Sequence, residues 1–268
     1  MKSKATEIIG HLLEPGFDIE VAIAVVENLK KSYQTAHDDE NANIAWAVLQ
    51  ILEIHRDYRT VFIQLRDKQY YEAWCLLEQI EIAIANLLRN CPGSKNAVKY
   101  VGIMVQRLQS LYPYKVFFST VIVIKERVCC ICGKKRTLRN HCGHFVGHVY
   151  GGELCSDIVQ KCELGGVDVV FNPEHKYSVA FFKGENGRED RYDYSILEAV
   201  MNEWDDPYKP WYYETRHIFK SPDDFPGLKD EDYCPCGSAK KYAECCKKRS
   251  EGIKHTVYEF KAGLEPDS

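Results

Sequence analysis

The chain has 268 residues, of which 45% are hydrophobic, and it carries a formal net charge of −4. This composition is typical of packed globular protein and predicts a sizeable core. No run of about 18 uncharged apolar residues occurs, so the sequence predicts neither secretion nor insertion into a membrane. We therefore expect a cytoplasmic protein.

The cysteine content is high for such a protein, at twelve residues. A reducing cytosol keeps thiols free, so this number favours metal ligands over disulfides. Eight of the twelve cysteines fall into two clusters. Residues 125–148 have a net charge of +5 and residues 234–249 a net charge of +4, so each cluster lies in a basic segment of an acidic chain. Basic segments suit phosphate contact, although lysines beside thiolates also simply offset their charge.

The first 112 residues show helical periodicity throughout, with apolar side chains recurring at spacings of three and four. This pattern predicts an N-terminal antiparallel bundle of four or five helices over residues 1–112. We expect Asp18 to cap one helix. His55 lies on an apolar stripe and is interpreted as a core histidine. Glu78 and Glu81 lie on one helix face and are interpreted as solvated charges or as members of a buried salt bridge.

The next segment is rich in β-branched and aromatic residues. Residues 116–124, 167–171 and 177–182 predict three strands of a small β-rich zinc module over residues 113–186. Residues 187–230 lack periodicity apart from one short helical stretch, and they predict an irregular arm. The expected fold class is therefore α+β.

The central cysteine cluster has the spacing of a zinc site. Cys129 and Cys132 form a Cys-x2-Cys pair, and Cys142 and His144 form a second pair about ten residues later. Tetrahedral zinc takes four such sulfur and nitrogen donors. We predict these four residues as ligands of one structural Zn²⁺.

Other donors lie close by, since His141, His148 or Cys155 could each replace one of the four. The segment also loosely resembles zinc-braced HNH-type nucleases, through His141, the Gly151–Gly152 turn, and the later cysteines Cys155 and Cys162. That resemblance implies a metal-dependent nuclease centred on His141. The later cysteine pair has six intervening residues where the family has two, which disfavours this alternative.

The helical bundle resembles HEPN domains, many of which are ribonucleases with an Arg-x4–6-His motif late in the bundle. Arg136 and His141 have this spacing, but they lie in the zinc module. The ribonuclease alternative is therefore disfavoured, while a catalytically inactive bundle that binds a partner stays open.

The C-terminal cluster is the most specific signal in the chain. Cys234, Cys236, Cys245 and Cys246 stand at Cys-x-Cys-x8-Cys-Cys spacing, a ligand set for a second Zn²⁺. Together with the central Gly-Ser-Ala-Lys-Lys sequence, this segment resembles the SEC-C motif, the zinc-binding tail of the bacterial preprotein translocase motor and of many other bacterial proteins. The resemblance covers about eighteen residues, implies the four cysteines as ligands, and suggests a bacterial source. We assign residues 231–250 to this zinc-stabilised tail module and residues 251–268 to a terminal tail.

These features together predict a binding protein. A shell of four protein donors leaves no open position for water or substrate, which is typical of structural zinc. We expect two structural zinc sites that present basic surfaces to a nucleic acid or protein partner, with a nuclease as the alternative. The sequence shows no motif for a small-molecule substrate. An aromatic group that includes Trp204 and Trp211 is interpreted as packing the arm onto the bundle, with stacking on nucleic-acid bases as the alternative.

Overall fold

The computed structural model describes residues 1–137, 139–140, 142–184, 187–238 and 240–263. The fold class is α+β, as predicted, and the chain divides into two compact units, Met1–Met201 and Asn202–Ser268. Within the described ranges, no helix is both long and apolar enough to cross a membrane.

Five helices form the first part of the chain; from the second helix on, consecutive helices pack against one another, and the first packs against the third. They are α1 (Lys2–His11), α2 (Ile19–Thr35), α3 (Asp39–Arg66), α4 (Tyr70–Asn90) and α5 (Lys95–Leu111), with a 3-10 turn at Pro92–Ser94. Asp18 caps α2, as predicted, because its carboxylate accepts hydrogen bonds from the amides of Glu20 and Val21 at 3.1 Å.

The longest helix, α3, is the centre of the bundle and is buried along most of its length. His55 lies in this core, as predicted, and its Nε2 is 2.9 Å from the carbonyl oxygen of Ala97. Burial lowers the pKa of His55, so the ring is neutral and Nε2 donates to that carbonyl. The histidine is therefore a satisfied core residue.

A long two-stranded ribbon follows the bundle. Strand β1 (Phe117–Cys129) pairs antiparallel with β4 (Asp157–Val170). The ribbon is longer than the predicted strands because most of its side chains are exposed, so its far half lacks the one-sided alternation that marks a strand in a sequence. Residues 177–182, predicted as a strand, contribute mainly a single bridge, between Val179 and Phe117.

Shorter strand pairs complete the first unit. They are β2 (Val149–Tyr150) with β3 (Glu153–Leu154), and β5 (Phe182–Gly184) with β6 (Gly187–Glu189), followed by α6 (Ser195–Glu203).

A buried carboxylate attaches the segment after the ribbon to the bundle. Glu78 on α4 accepts hydrogen bonds from the amides of Lys176 at 2.6 Å and Tyr177 at 2.9 Å. Trp74 donates its indole N–H to the carbonyl of Lys176. Glu81 forms an ion pair with the Lys176 side chain. The salt bridge of Glu81 is therefore partly exposed, and Glu78 is buried but binds backbone amides, so neither residue forms the buried salt bridge that the sequence suggested.

The second unit contains a ribbon that the sequence did not predict. Strand β7 (Trp211–Lys220) pairs along its whole length with β8 (Ile253–Ala262). The predicted irregular arm (187–230) and terminal tail (251–268) therefore each contribute a strand. Their pairing joins residues about 40 apart, and neither strand shows a clean alternation, so no local pattern revealed it. Trp204 and Trp211 are buried and contact the ring of Phe260 on β8. They therefore pack, as predicted, but these ring contacts are within the second unit, where the sequence suggested packing onto the bundle.

Candidate metal centres

The four predicted central ligands come together at the end of the long ribbon. The donor atoms of Cys129, Cys132, Cys142 and His144 all lie within 4.8 Å of one another. The Sγ of Cys129 is 3.7 Å from Nδ1 of His144. A tetrahedral metal with sulfur ligands at about 2.3 Å separates neighbouring sulfurs by about 3.8 Å, so this spacing fits one four-coordinate ion.

A tight turn delivers the first pair of donors. Cys129 is the last residue of β1, and its carbonyl accepts from the amide of Gly133 at 2.8 Å while its amide donates to Lys134 at 2.9 Å. Gly133 has a φ of +69°, which a residue with a Cβ rarely adopts. This turn brings Cys132 back beside Cys129, which explains the Cys-x2-Cys spacing.

The loop that follows the second pair of donors is fixed to the helices of the bundle. The side chain of Asn90, the last residue of α4, accepts from the amide of Val149 at 2.9 Å and donates to the carbonyl of Gly147 at 2.8 Å. Asn43 on α3 accepts from the amide of Gly152 at 2.7 Å. Gly152 has a φ of +78°, and a Cβ there would lie 3.0 Å from a backbone oxygen of α3. The bundle therefore positions the loop beside this donor group.

A fifth sulfur lies at the edge of the central group. The Sγ of Cys155 is 3.9 Å from that of Cys129, and Nη2 of Arg136 donates to it at 3.0 Å. Cys155 is buried, yet it is not a member of the group of four. Burial, together with the neighbouring Cys129, raises the pKa of the Cys155 thiol to about 11. Cys155 is thus placed as a protonated neighbour of the donors.

Cys129 has the opposite electrostatic environment. Burial disfavours its thiolate, but hydrogen bonds from the Arg136 guanidinium and from the amides of Ile131 and Cys132 outweigh burial and lower the pKa of Cys129 to about 5. Arg136 Nε also lies 3.1 Å from a carboxylate oxygen of Asp157. The two groups form an ion pair, but these two atoms do not form a hydrogen bond. Arg136 therefore supplies positive charge beside the thiolate ligand.

The other nearby candidates that the structure describes do not join the central group. His148 is exposed and is not one of the four members. His141, the residue on which both nuclease alternatives rest, lies outside the described residues. Cys155 is buried beside Cys129, whereas Cys162 is exposed on the ribbon opposite Ile124. The cysteine pair of the HNH resemblance is therefore not brought to one site.

The C-terminal cysteines form the second group. The Sγ atoms of Cys234, Cys236, Cys245 and Cys246 lie within 4.8 Å of one another. Cys236 is 3.5 Å from Cys245, and Cys245 is 3.9 Å from Cys246. These separations again match the edges of a tetrahedron around one ion, and among the described residues every cysteine thiol is free.

Short turns build this group in the part of the segment that the structure describes. The amide of Gly237, whose φ is +75°, donates to the carbonyl of Cys234 at 3.2 Å. Two 3-10 turns, Tyr242–Glu244 and Cys246–Lys248, place the last two cysteines. The hydroxyl of Ser238 lies 3.1 Å from the Sγ of Cys245.

The C-terminal group carries its own small core. Its buried members are Cys234, Tyr242, Cys246 and Ile253, with Phe225 and Leu228 packed against them. Burial raises the pKa of Cys246 to about 12. Burial also opposes ionisation of Cys236, but hydrogen bonds from Ser238 and neighbouring thiols outweigh it and lower the pKa of Cys236 to about 6. Two of the four buried core residues are therefore cysteines, so little apolar surface is available to hold this segment.

Carboxylates offset part of the charge of the basic segments. Four of the six basic residues between 125 and 148 form ion pairs: Lys125 with Glu163, Arg127 and Arg136 with Asp157, and Lys135 with Glu126. In the second unit, Lys247 pairs with Asp230 at 2.6 Å. These pairs reduce the positive charge read from the sequence but do not cancel it, because Arg127 and Arg136 share one carboxylate and Glu126 is already included in the +5.

Comparison of the chain with protein-family models, with curated proteins and with solved structures gave no match. The SEC-C assignment therefore stays a resemblance based on cysteine spacing. The structure itself provides two Cys or Cys/His groups that are each able to hold a metal ion.

Proposed function

We propose that this chain is a non-catalytic, zinc-binding interaction protein with two structural zinc sites. The observation that carries the proposal is the pair of closed donor groups, each with four soft ligand atoms within 4.8 Å of one another. The C-terminal site then acts as a SEC-C-type module, and the central site braces the end of the long ribbon.

Zinc is the metal that the donor chemistry favours. Thiolate and imidazole are soft or borderline ligands, and a compact set of four suits the tetrahedral geometry of Zn²⁺. Calcium and magnesium require oxygen ligands, and neither group contains one. Iron is the main competitor for a four-sulfur set, so direct metal analysis decides between the two.

The number of donors favours a structural role. A catalytic zinc site typically has three protein ligands and keeps a fourth position for water or substrate, whereas each group here has four protein donors. The HNH alternative also requires a later cysteine pair that completes its bracing zinc site, and Cys155 and Cys162 do not share a site. Both considerations support binding over catalysis.

The charge distribution favours a protein partner over nucleic acid. Nucleic-acid binding depends on unpaired Lys and Arg side chains that displace counterions from phosphates. The ion pairs within residues 125–148 leave fewer such side chains than the sequence suggested. We therefore propose a protein partner, in a reducing cytoplasm that keeps the ligand thiols free.

Metal analysis of the purified chain tests this proposal. Protein expressed in zinc-containing medium and purified under reducing conditions should contain about two equivalents of zinc per chain, and elemental analysis identifies the metal. Iron in either site, or a content below one equivalent, would contradict the zinc assignment.

Fluorescence anisotropy with labelled DNA and RNA tests the choice of partner. Binding whose log affinity falls with log salt at a slope of about −0.9 per phosphate contacted would overturn the protein-partner proposal. Cleavage of either substrate with added Mg²⁺ or Mn²⁺ would overturn the non-catalytic assignment.

A further inference from the structure

One face of the long ribbon carries an apolar stripe. Side chains that face one another across an antiparallel pair lie on the same face, and β1 pairs Phe118 with Val169, Thr120 with Val167, Ile122 with Leu164 and Ile124 with Cys162. We call this set of eight the ribbon stripe. It contains six large apolar side chains and no charged one. The opposite face is mixed, because Val123 there lies across from Glu163 and Ser119 across from Asp168.

The ribbon stripe is exposed along its whole length. Relative exposures are 43% for Phe118, 53% for Ile122, 48% for Ile124, 70% for Leu164 and 60% for Val169. On side chains of this size these fractions leave roughly 700 Å² of largely apolar surface, close to the ~800 Å² that each partner contributes to a standard specific interface. A contiguous apolar patch of this size marks an interaction site on a soluble protein.

The ribbon also needs a partner layer on physical grounds. An isolated pair of strands is marginally stable in water, because it has no second layer to bury its apolar face. Phe117 at one end and Cys129 at the other are buried, whereas the ribbon stripe between them is not. The ends are therefore held within the first unit, while the middle lacks a covering layer among the described residues.

We propose that the ribbon stripe is a homodimer interface, in which the stripe of one chain packs face to face on the stripe of a second copy. An uncharged apolar face is self-complementary, as a two-fold interface requires, since each residue meets the same surface on the partner. Two such ribbons make a two-layer packing with the two layers about 10 Å apart. The exposed area is close to what each partner contributes to a standard specific interface of ~800 Å² per side.

The same face also offers a protruding side chain and a recess. Leu164 is the most exposed residue of the stripe. A cavity of about 270 Å³ lies at the bundle end of the stripe, lined by Phe118, Thr120 and Ile122 together with Glu174, His175 and Tyr177. A leucine side chain fits this volume, so Leu164 of each copy can insert into the recess of the other. This inference is independent of the metal, because none of the eight stripe residues belongs to either donor group.

Sedimentation equilibrium of the full chain with its metal bound tests the proposal. The wild type should behave as a dimer of twice 30.9 kDa at micromolar concentration. Ile122→Glu places a carboxylate on the stripe of both copies, and burying these two like charges should raise the dimer dissociation constant on the order of 100-fold or more. Leu164→Glu should raise the dissociation constant to a similar extent, which would show that the effect is not specific to position 122.

Val123→Glu is the matched control, because Val123 is the next residue of β1, is similarly exposed, and lies on the opposite face. It should change the dissociation constant less than about threefold. Elemental analysis of all three variants should give the same metal content as the wild type, which separates failure of this proposal from failure of the zinc assignment. A wild type that is monomeric when assayed at about 100 µM would overturn the dimer proposal. Equal weakening of the dimer by Ile122→Glu and Val123→Glu would overturn it as well.

Discussion

The two donor groups differ in what holds them. The central group lies at the end of a long ribbon, and the loop beside it is bonded to α3 and α4 through Asn43 and Asn90. The C-terminal group lies in short turns over a core of four buried residues, two of which are its own cysteines. Hydrogen bonds to the bundle thus support the loop beside the first group. The second group has little apolar surface of its own, so we expect it to depend on a bound ion for most of its order.

The largest expected effect is loss of the C-terminal metal. Cys236→Ser removes one of four donors, and structural zinc in small modules contributes on the order of 10 kcal/mol to folding. We expect metal content to fall from two equivalents to one. Limited proteolysis should cut between residues 230 and 250, while the helical circular dichroism of the bundle stays within a few per cent of wild type.

Cys162→Ser is the control for this substitution, since Cys162 is exposed and belongs to neither donor group. It should retain two equivalents of metal and resist the protease. Comparable loss of bundle helicity in Cys236→Ser would contradict the contrast drawn between the two sites.

In the central site, the effects of replacing two nearby cysteines, Cys130 and Cys132, can be compared directly. Cys132 belongs to the donor group, whereas Cys130 accepts a hydrogen bond from the amide of Ser156 at 3.1 Å and does not. Cys132→Ser should lower the metal content by about one equivalent, and Cys130→Ser should leave it unchanged, as measured by elemental analysis after dialysis. Cys155→Ala should also retain the metal. Loss of metal in Cys155→Ala with retention in Cys132→Ser would exchange the roles of these two residues.

The dependence of the central site on the bundle can be measured through Asn90. Asn90→Ala removes both hydrogen bonds to the loop at Gly147 and Val149 without touching a ligand. Supporting residues of this kind typically change metal affinity by about 10-fold or more. We expect a chelator competition assay to show about a 10-fold weaker central site and an unchanged C-terminal site.

Asn86→Ala, one turn earlier on α4, is the matched control, because the Asn86 side chain bonds only to Arg89 among the contacts resolved. It should leave both affinities within about twofold of wild type. If Asn90→Ala weakens both sites equally, the effect is general destabilisation, and the bundle does not position the central loop in the way we infer.

Features that depend on residues close together in the chain can be predicted from the sequence, whereas features that depend on distant residues cannot. The helices, the Asp18 cap and the role of His55 follow from periodicity, because one face of each helix packs into a core. The eight metal-ligand assignments came from spacing within short segments, and they stay predictions until metal is measured. Spacing cannot reveal Asn90 or Arg136, whose roles depend on residues that are distant along the chain.

The two ribbons show the same limit. The pairing of β7 with β8 and the full length of β1 with β4 were missed because strands exposed on both faces lack the period-two pattern of a one-sided sheet. For a related reason, the sequence alone overstates the unpaired positive charge of residues 125–148. Lys125 and Lys135 count as positive in a sequence, but each is paired with a carboxylate once the ribbon forms.

The smallest expected effect is on the pH dependence of the stability of the bundle, measured in the absence of metal. His55 has a lowered pKa because it is buried, whereas in the unfolded chain its pKa is near 6.5. Above that value both states are neutral and the residue contributes no pH dependence. Below it the unfolded chain takes up a proton that the folded chain does not, so the free energy of unfolding falls by at most about 1.4 kcal/mol per pH unit. Urea unfolding followed by helical circular dichroism, with metal removed, should show this loss between pH 6.5 and 5.5. His55→Gln, which keeps a donor for the Ala97 carbonyl, should reduce the slope; an unchanged slope would assign the pH dependence to other groups of the bundle.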